Sequence, residues 1–270
     1  MTNKIDPKDV YTQEVGNLYD EADISCNPMS KDKLLDFAVE HGVRKESLVL
    51  DIGCANGGVS RELLEKTGCK IEGVELLDLL VDMGNEENDE LGLADRFRIQ
   101  QGSITSIPFE DNTFDFIFAN DVFGMVEDID TALTECRRVL KPGGKMLVYL
   151  SLRTERLPKE EANELSATQG GPSILREESD TEAALKSGFK LIDKIDIGSQ
   201  FTQNSTEKSK EMSEATKGLL RVARLLTWPE KYIQKYGEQR YRTVLAGSHW
   251  SVYILLGKLK PTVFIVQKEG

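Results

Sequence analysis

Leu48-Val49-Leu50-Asp51-Ile52-Gly53-Cys54-Ala55-Asn56-Gly57-Gly58 is the stretch on which the fold turns. A short apolar run opens it, an acidic residue stands near its end, and glycines at 53 and 57 bracket a tight turn. The amphipathic spacing of Val59 to Lys66 then predicts a helix. Strand, glycine turn and helix follow one another within twenty residues. Without a Cβ at Gly53 and Gly57, the backbone comes within contact distance of a ligand. The unpaired N–H groups at the start of the helix face the same place.

Outward from this turn the same rhythm repeats. Apolar runs at Ile71–Val74, Phe97–Ile99, Phe114–Ala119 and Met146–Leu150 read as strands. The stretch Ile129, Ala132, Leu133, Cys136, Val139 and Leu140 reads as an amphipathic helix between two of them. Strands alternating with helices imply an α/β fold, a doubly wound parallel sheet buried on both faces. Pro142-Gly143-Gly144 reads as a tight helix-to-strand turn. Before residue 48 the chain is polar and helical, with Leu34, Leu35, Ala38 and Val39 at helical spacing.

After Leu150 the rhythm breaks. A connecting segment and sixth strand (Phe189–Ile192, Ile195) fill 151–196, a helical insertion spans 197–248, and Trp250–Leu256 reads as a last strand within 249–270. In the insertion, Met212, Ala215, Leu219, Val222 and Leu226 form one helical stripe, expected to cover the open end of the sheet. Thr227-Trp228-Pro229-Glu230 restarts a helix, with threonine as N-cap and proline in the first turn. Tyr232, Ile233 and Tyr236 follow on it, and the aromatics Trp228, Tyr232, Tyr236 and Tyr241 are expected to pack the helices together, with a place in the substrate pocket as the alternative.

The turn also says which nucleotide it suits. A dinucleotide fingerprint needs a second glycine where this chain has Ala55, because a pyrophosphate approaches the backbone there. Asp51 at the strand end suits a sulfonium ligand with an amino group better than it suits a pyrophosphate. Glu75 ends the next strand, where a carboxylate accepts ribose hydroxyls. These residues point to S-adenosylmethionine.

From about residue 48 to 150 the chain resembles the class I S-adenosylmethionine-dependent methyltransferases, in the small-molecule branch with a ubiquinone/menaquinone methyltransferase-like core. The motifs that carry the resemblance are Val49 to Gly57, Gly73-Val74-Glu75, Gly102-Ser103-Ile104, Ile107-Pro108-Phe109, Phe114-Asp115 and Leu140-Lys141-Pro142-Gly143-Gly144. It implies a Rossmann-like, mostly parallel seven-stranded sheet with an antiparallel last strand and helical lid insertions. It implies cofactor contacts from Asp51, Gly53, Cys54, Ala55, Gly57, Glu75, Leu76, Ser103, Ile104 and Asn120, with Tyr11 and Tyr19 closing one side. Ser103 stands where the family commonly has aspartate. Met125 stands where a histidine is often found, so no base carries over there. The layout is also similar to the sarcosine/dimethylglycine and phosphoethanolamine N-methyltransferases, which keeps amines among the candidate acceptors.

Methyl transfer needs alignment first and a general base only when the nucleophile must lose a proton. His249 and Asp121 are the candidate catalytic residues, with Glu127 and Asp128 as further carboxylates in reach of the fourth strand's end. His41 reads as structural or exposed.

Composition bounds the partners. Acidic residues outnumber basic ones by 46 to 34, giving a formal charge of −12. Such a surface repels phosphate backbones, so a small-molecule substrate is expected and nucleic acid is not. No apolar run reaches membrane-spanning length, which sets aside a membrane partner. Cys26, Cys54, Cys69 and Cys136 show no CxxC spacing and only two histidines exist, so no metal is expected. A polar start without an apolar core points to the cytoplasm. A homodimer stays open. The competing reading is a non-catalytic adenosylmethionine-binding regulatory module, and a dinucleotide enzyme is disfavoured by Ala55.

Overall fold

The computed structural model describes residues 31–168, 174–197 and 214–269. Tyr11, Tyr19, Cys26 and Met212 lie outside them. In chain order the elements are α1 (Lys31–Glu40), β1 (Leu48–Ile52), α2 (Gly58–Thr67), β2 (Lys70–Glu75), α3 (Asp78–Glu90), β3 (Phe97–Gln101) and β4 (Phe114–Asn120). Then come α4 (Ile129–Val139), β5 (Leu140–Arg153), α5 (Lys159–Thr168), α6 (Glu178–Gly188) and β6 (Lys190–Asp196). The chain ends with α7 (Glu214–Thr227), α8 (Pro229–Tyr236), α9 (Glu238–Leu255) and β7 (Leu259–Gln267).

The strands form one seven-stranded sheet in the order β3-β2-β1-β4-β5-β7-β6. β1 pairs in parallel with β2 on one side and β4 on the other, so Leu50 lies opposite Glu72 and Ile117. β2–β3 and β4–β5 are also parallel. β7 runs against β5: Thr154 N donates to Lys258 O at one end, and Lys268 N donates to Gly144 O at the other. This is the Rossmann-like doubly wound arrangement, with the strand order reversing at β1. Val49, Leu50, Ile52, Ile117, Phe118, Leu147 and Val148 are all buried, as strands covered on both faces must be.

Two sequence motifs act together at the foot of the sheet. Asp115 accepts a hydrogen bond from Leu48 N at 2.9 Å and from Lys141 Nζ at 2.7 Å. The Lys141–Gly144 segment is not a plain turn. Leu140 already pairs with Phe114, and residues 141–144 bulge out opposite Asp115 before Lys145 rejoins the ladder at Phe116. Gly143 takes the left-handed φ of 78° that this bulge needs.

The described residues divide into two compact units. One is the α/β unit, built on Lys31–Leu150, Ser179–Ile195 and the residues from Val263 onward. In it His41 sets its Nε2 3.6 Å from Asp193 Oδ2, which fits a structural residue. The other unit is mainly helical, and α7, α8 and α9 pack on one another within it. Leu225, Tyr232, Tyr236, Tyr241 and Val244 make one of its cores. Leu157, Ala162, Leu165, Trp250, Ile254 and Leu259 make a second. Tyr232, Tyr236 and Tyr241 therefore pack helices, as expected, whereas Trp228 is exposed.

Two expectations for this region need correction. Trp250–Leu256 is not a strand: α9 runs through Leu255, and the last strand is Leu259–Gln267. α9 buries residues on several sides, among them Val244, Ser248, Trp250, Ser251 and Ile254. A helix apolar around its girth has no clear period and is easily taken for a buried strand. His249 consequently lies inside a helix. The α7 stripe is also inverted. Leu219 and Leu226 are exposed, while Gly218, Arg221 and Leu225 are buried.

Candidate active site

Strand β1 ends in a turn that the protein packs tightly. Gly53 and Gly57 have φ of 68° and 81°. A Cβ at Gly53 would sit 2.5 Å from Val122, and one at Gly57 would sit 2.6 Å from the Phe97 ring. Glycine is thus required here by backbone conformation and by the chain's own packing, beyond any ligand approach. Ala55, without that freedom, still takes φ of 50°, a strain typical of functional turns. Gly57 is the N-cap of α2 and supplies no side-chain cap, so the first N–H groups of that helix are left for a ligand.

Two carboxylates frame the turn. Asp51 is buried, and Ser60 on α2 donates to its Oδ2 at 2.5 Å. Burial pushes its pKa up to about 7; the Ser60 hydrogen bond opposes that rise and the nearby charge of Glu75 adds to it. Its carboxyl is poised to change charge near neutrality when a cation arrives. Glu75 clamps the loops on either side. Its Oε2 accepts from Ala55 N at 3.0 Å, and its Oε1 accepts from Leu76 N at 2.9 Å and Leu77 N at 3.1 Å. Counting lone pairs, Oε2 keeps one acceptor position. Burial raises the pKa of the neighbouring Cys54 thiol, which keeps it neutral and unreactive. Leu76 is exposed beside the clamp.

The β3 exit is equally organised. Gly102 N donates to Glu75 O at 2.9 Å, tying it to the end of β2. Ser103 Oγ lies 2.8 Å from Thr105 Oγ1 and accepts from Thr105 N. Thr105 is therefore a second hydroxyl at this position, one that no sequence motif singled out. The Ile107-Pro108-Phe109 motif is held from α4. Arg138 donates to Ile107 O at 2.8 Å, Phe109 O at 2.7 Å and Asp111 Oδ1 at 2.9 Å, while Glu135 accepts from Ile107 N at 2.8 Å.

At the end of β4, Asn120 Oδ1 is buried with no hydrogen-bond partner among the described residues. Asp121 follows with φ of 61° and an exposed side chain, its N–H donating to Tyr149 O at 2.8 Å. Val122 then packs against Gly53. Asp128 drops out as a base. It caps α4, accepting from Thr131 N and Oγ1 at 2.9 and 2.6 Å, bonds that lower its pKa. Met125 is exposed. His249 belongs to the helical unit, where burial holds its imidazole below its ordinary pKa.

Asp51, Gly53, Cys54, Ala55, Gly57, Glu75, Leu76, Ser103, Ile104, Asn120 and Asp121 thus all belong to the α/β unit, at or just past the carboxyl ends of β1 to β4. Ligands bind at that edge of an open parallel sheet. The residues fit adenosylmethionine. An uncapped helix start suits its carboxylate, an orphaned carbonyl acceptor suits its ammonium, and Glu75 keeps an acceptor for a ribose hydroxyl. Among the described residues no cluster of His, Cys, Asp and Glu could hold a metal ion.

Residues 50–148 match the methyltransferase domain family. The sterol 24-C-methyltransferase erg6 of Schizosaccharomyces pombe is 32% identical over 166 residues, covering 59% of this chain and 44% of that protein. The chain thus spans under half the length of that relative. Among solved structures, a Galdieria sulphuraria protein assigned as a sarcosine dimethylglycine methyltransferase matches with a TM-score of 0.72 and 22% identity, over 88% of this chain and 84% of that one. The [4+2]-cyclase SpnF matches with a TM-score of 0.69 and 21% identity, over 88% and 81%. At these identities the structural likenesses speak for the fold alone. The sequence match to the methyltransferase domain family thus spans residues 50–148, the same segment whose strand ends carry the candidate cofactor residues.

Proposed function

We propose that the chain is an enzyme that methylates a small molecule at the expense of S-adenosylmethionine. The observation that carries this is the turn closed by Glu75 and opened onto the uncapped start of α2, with Asp51 buried beneath it. When bound, the cofactor supplies an electrophilic methyl group on a sulfonium. The chain's own residues bind and orient. Glu75 and Leu76 take the ribose and adenine side, Ser103 and Ile104 the adenine edge, and Asn120 and Asp51 the amino-acid end. Asp121, strained at the end of β4, is assigned to positioning the acceptor. His249, held neutral by burial, is assigned to accepting a proton where the nucleophile carries one.

The sterol methyltransferase that the chain matches makes apolar small molecules, sterols included, the first acceptor class to test, with small amines second. The second reading is a non-catalytic adenosylmethionine-binding regulatory module, a chain that holds the cofactor without spending it, since a fold by itself does not fix the chemistry. Release of S-adenosylhomocysteine from methyl-labelled cofactor across an acceptor panel decides between them. On our reading one acceptor class drives release. Asp121→Asn and His249→Gln then lower kcat/KM at least about tenfold, with cofactor affinity unchanged. Binding of cofactor without release for any acceptor supports the second reading.

A further inference from the structure

The loop after β3 holds a pair of hydroxyls whose hydrogen bonds can be made in two ways. Ser103 Oγ lies 2.8 Å from Thr105 Oγ1 and accepts from Thr105 N at 3.2 Å. Both residues are half-buried, and among the described residues neither hydroxyl has another protein partner. The loop around them is fixed. Gly102 N donates to Glu75 O at 2.9 Å, and Ser106 N donates to Ser103 O at 3.0 Å. A Cβ at Gly102 would sit 3.0 Å from Pro108 and 3.1 Å from Val74, so the chain packs closely on both sides of it.

A hydroxyl has one proton to give and two lone pairs to offer. Thr105 N–H occupies one lone pair of Ser103 throughout. When Ser103 donates to Thr105, Ser103 keeps a lone pair for a ligand and Thr105 keeps its proton. When Thr105 donates to Ser103, both lone pairs of Ser103 are filled and its proton turns outward, while Thr105 is left with lone pairs alone. The first arrangement presents an acceptor at Ser103 beside a donor at Thr105. The second presents the reverse. Rotation of the two hydroxyls interconverts them without moving a heavy atom, whereas a carboxylate in place of Ser103 could only accept.

The strand order says what meets this pair. The amino-acid end of the cofactor is assigned to Asp51 and Asn120, on β1 and β4, and its ribose to Glu75 on β2, so the next strand outward is β3. Neighbouring strands lie about 4.8 Å apart, close to the step from a ribose to its base, and the base therefore reaches the Ser103 loop. Adenine offers an exocyclic amino donor beside a ring-nitrogen acceptor, which the first arrangement matches. Hypoxanthine, the deaminated base, offers a carbonyl acceptor beside a ring N–H donor, which the second matches. We propose, on the cofactor placement already assigned, that Ser103 and Thr105 read the base as a reversible pair, so that the site takes the hypoxanthine form of the cofactor as well as the adenine form.

The test is calorimetric titration of the full chain with S-adenosylhomocysteine and with its deaminated analogue, S-inosylhomocysteine. Wild type should bind both, with affinities within about tenfold of each other. Ser103→Asp should hold S-adenosylhomocysteine but bind S-inosylhomocysteine at least about tenfold more weakly than wild type does, because the carboxylate then faces a carbonyl. Thr105→Val should weaken both ligands by a similar factor of about three to ten, and Thr105→Ser should restore both. Retained S-adenosylhomocysteine binding shows that Ser103→Asp is folded; if that variant binds neither ligand, Thr105→Val decides. A wild-type preference for S-adenosylhomocysteine beyond about tenfold overturns the proposal. So does Ser103→Asp binding the two ligands alike, or Thr105→Val weakening only one or neither. A wild type that binds neither ligand removes the cofactor placement itself, and the proposal with it.

Discussion

Replacing Asp51 with asparagine should stabilise the protein without ligand and weaken its grip on the cofactor. In the folded chain the carboxyl titrates near 7, against 3.8 for the ordinary group. Below the unfolded pKa both states are neutral at this site and nothing is lost. As pH rises from there, the unfolded chain ionises first and the folded chain holds its proton, so folding becomes less favourable. The loss is complete once pH passes the folded pKa. Three pKa units correspond to a ceiling of about 4 kcal/mol, with roughly half already lost near pH 5.5. Asparagine keeps an acceptor for Ser60 and removes the titration. The stability gap between Asp51→Asn and wild type should therefore widen by roughly 2 kcal/mol between about pH 5.5 and pH 8.5. Urea unfolding at the two pH values, followed by circular dichroism, measures it, while titration with S-adenosylhomocysteine reads the weakened affinity. A gap of the same size at both pH values, or an unweakened affinity, would refute the reasoning.

Three further predictions concern the turn and its supports. Glu75→Gln can satisfy Leu76 and Leu77 but then sets an amide donor against Ala55 N–H; cofactor affinity should fall by about 1.5–3 kcal/mol in calorimetric titration, and an unchanged affinity would show that another group holds the ribose. Ala55→Gly relieves a left-handed alanine at the cost of a looser unfolded chain, for a net gain of about 0.5–1 kcal/mol in urea unfolding; a loss would mean that the alanine methyl packs better than its backbone suffers. Arg138→Met removes the half-buried guanidinium that ties Ile107, Phe109 and Asp111 to α4, and should cost about 2–3 kcal/mol of stability, with no change meaning that the β3–β4 loop holds itself.

Much of the α/β unit was legible in the sequence because parallel strands buried on both faces leave continuous apolar runs. The runs at 48, 71, 97, 114 and 146 each fall inside an observed strand. Asp51 and Glu75 were legible because glycines mark the turn between them. What they do inside the protein was not: the Ser60 hydroxyl under Asp51 and the three N–H groups on Glu75 come from packing. Ser60, one turn into a helix that starts at the glycines, could have been found from its spacing. The helical unit misled in two places for one reason. Helices packed within it bury more than one face, so α9 lost its period, and on α7 Leu225 meets the core while Leu219, Leu220 and Leu226 face away. A leucine stripe says that a helix is amphipathic, not which side meets the protein.

The central claim rests on the cofactor. Isothermal titration of the full chain with S-adenosylhomocysteine, and separately with NAD, tests it most directly. S-adenosylhomocysteine should bind saturably and one-to-one, more weakly to Glu75→Gln and Asp51→Asn, and NAD should not bind. Binding of NAD with no response to S-adenosylhomocysteine would contradict it.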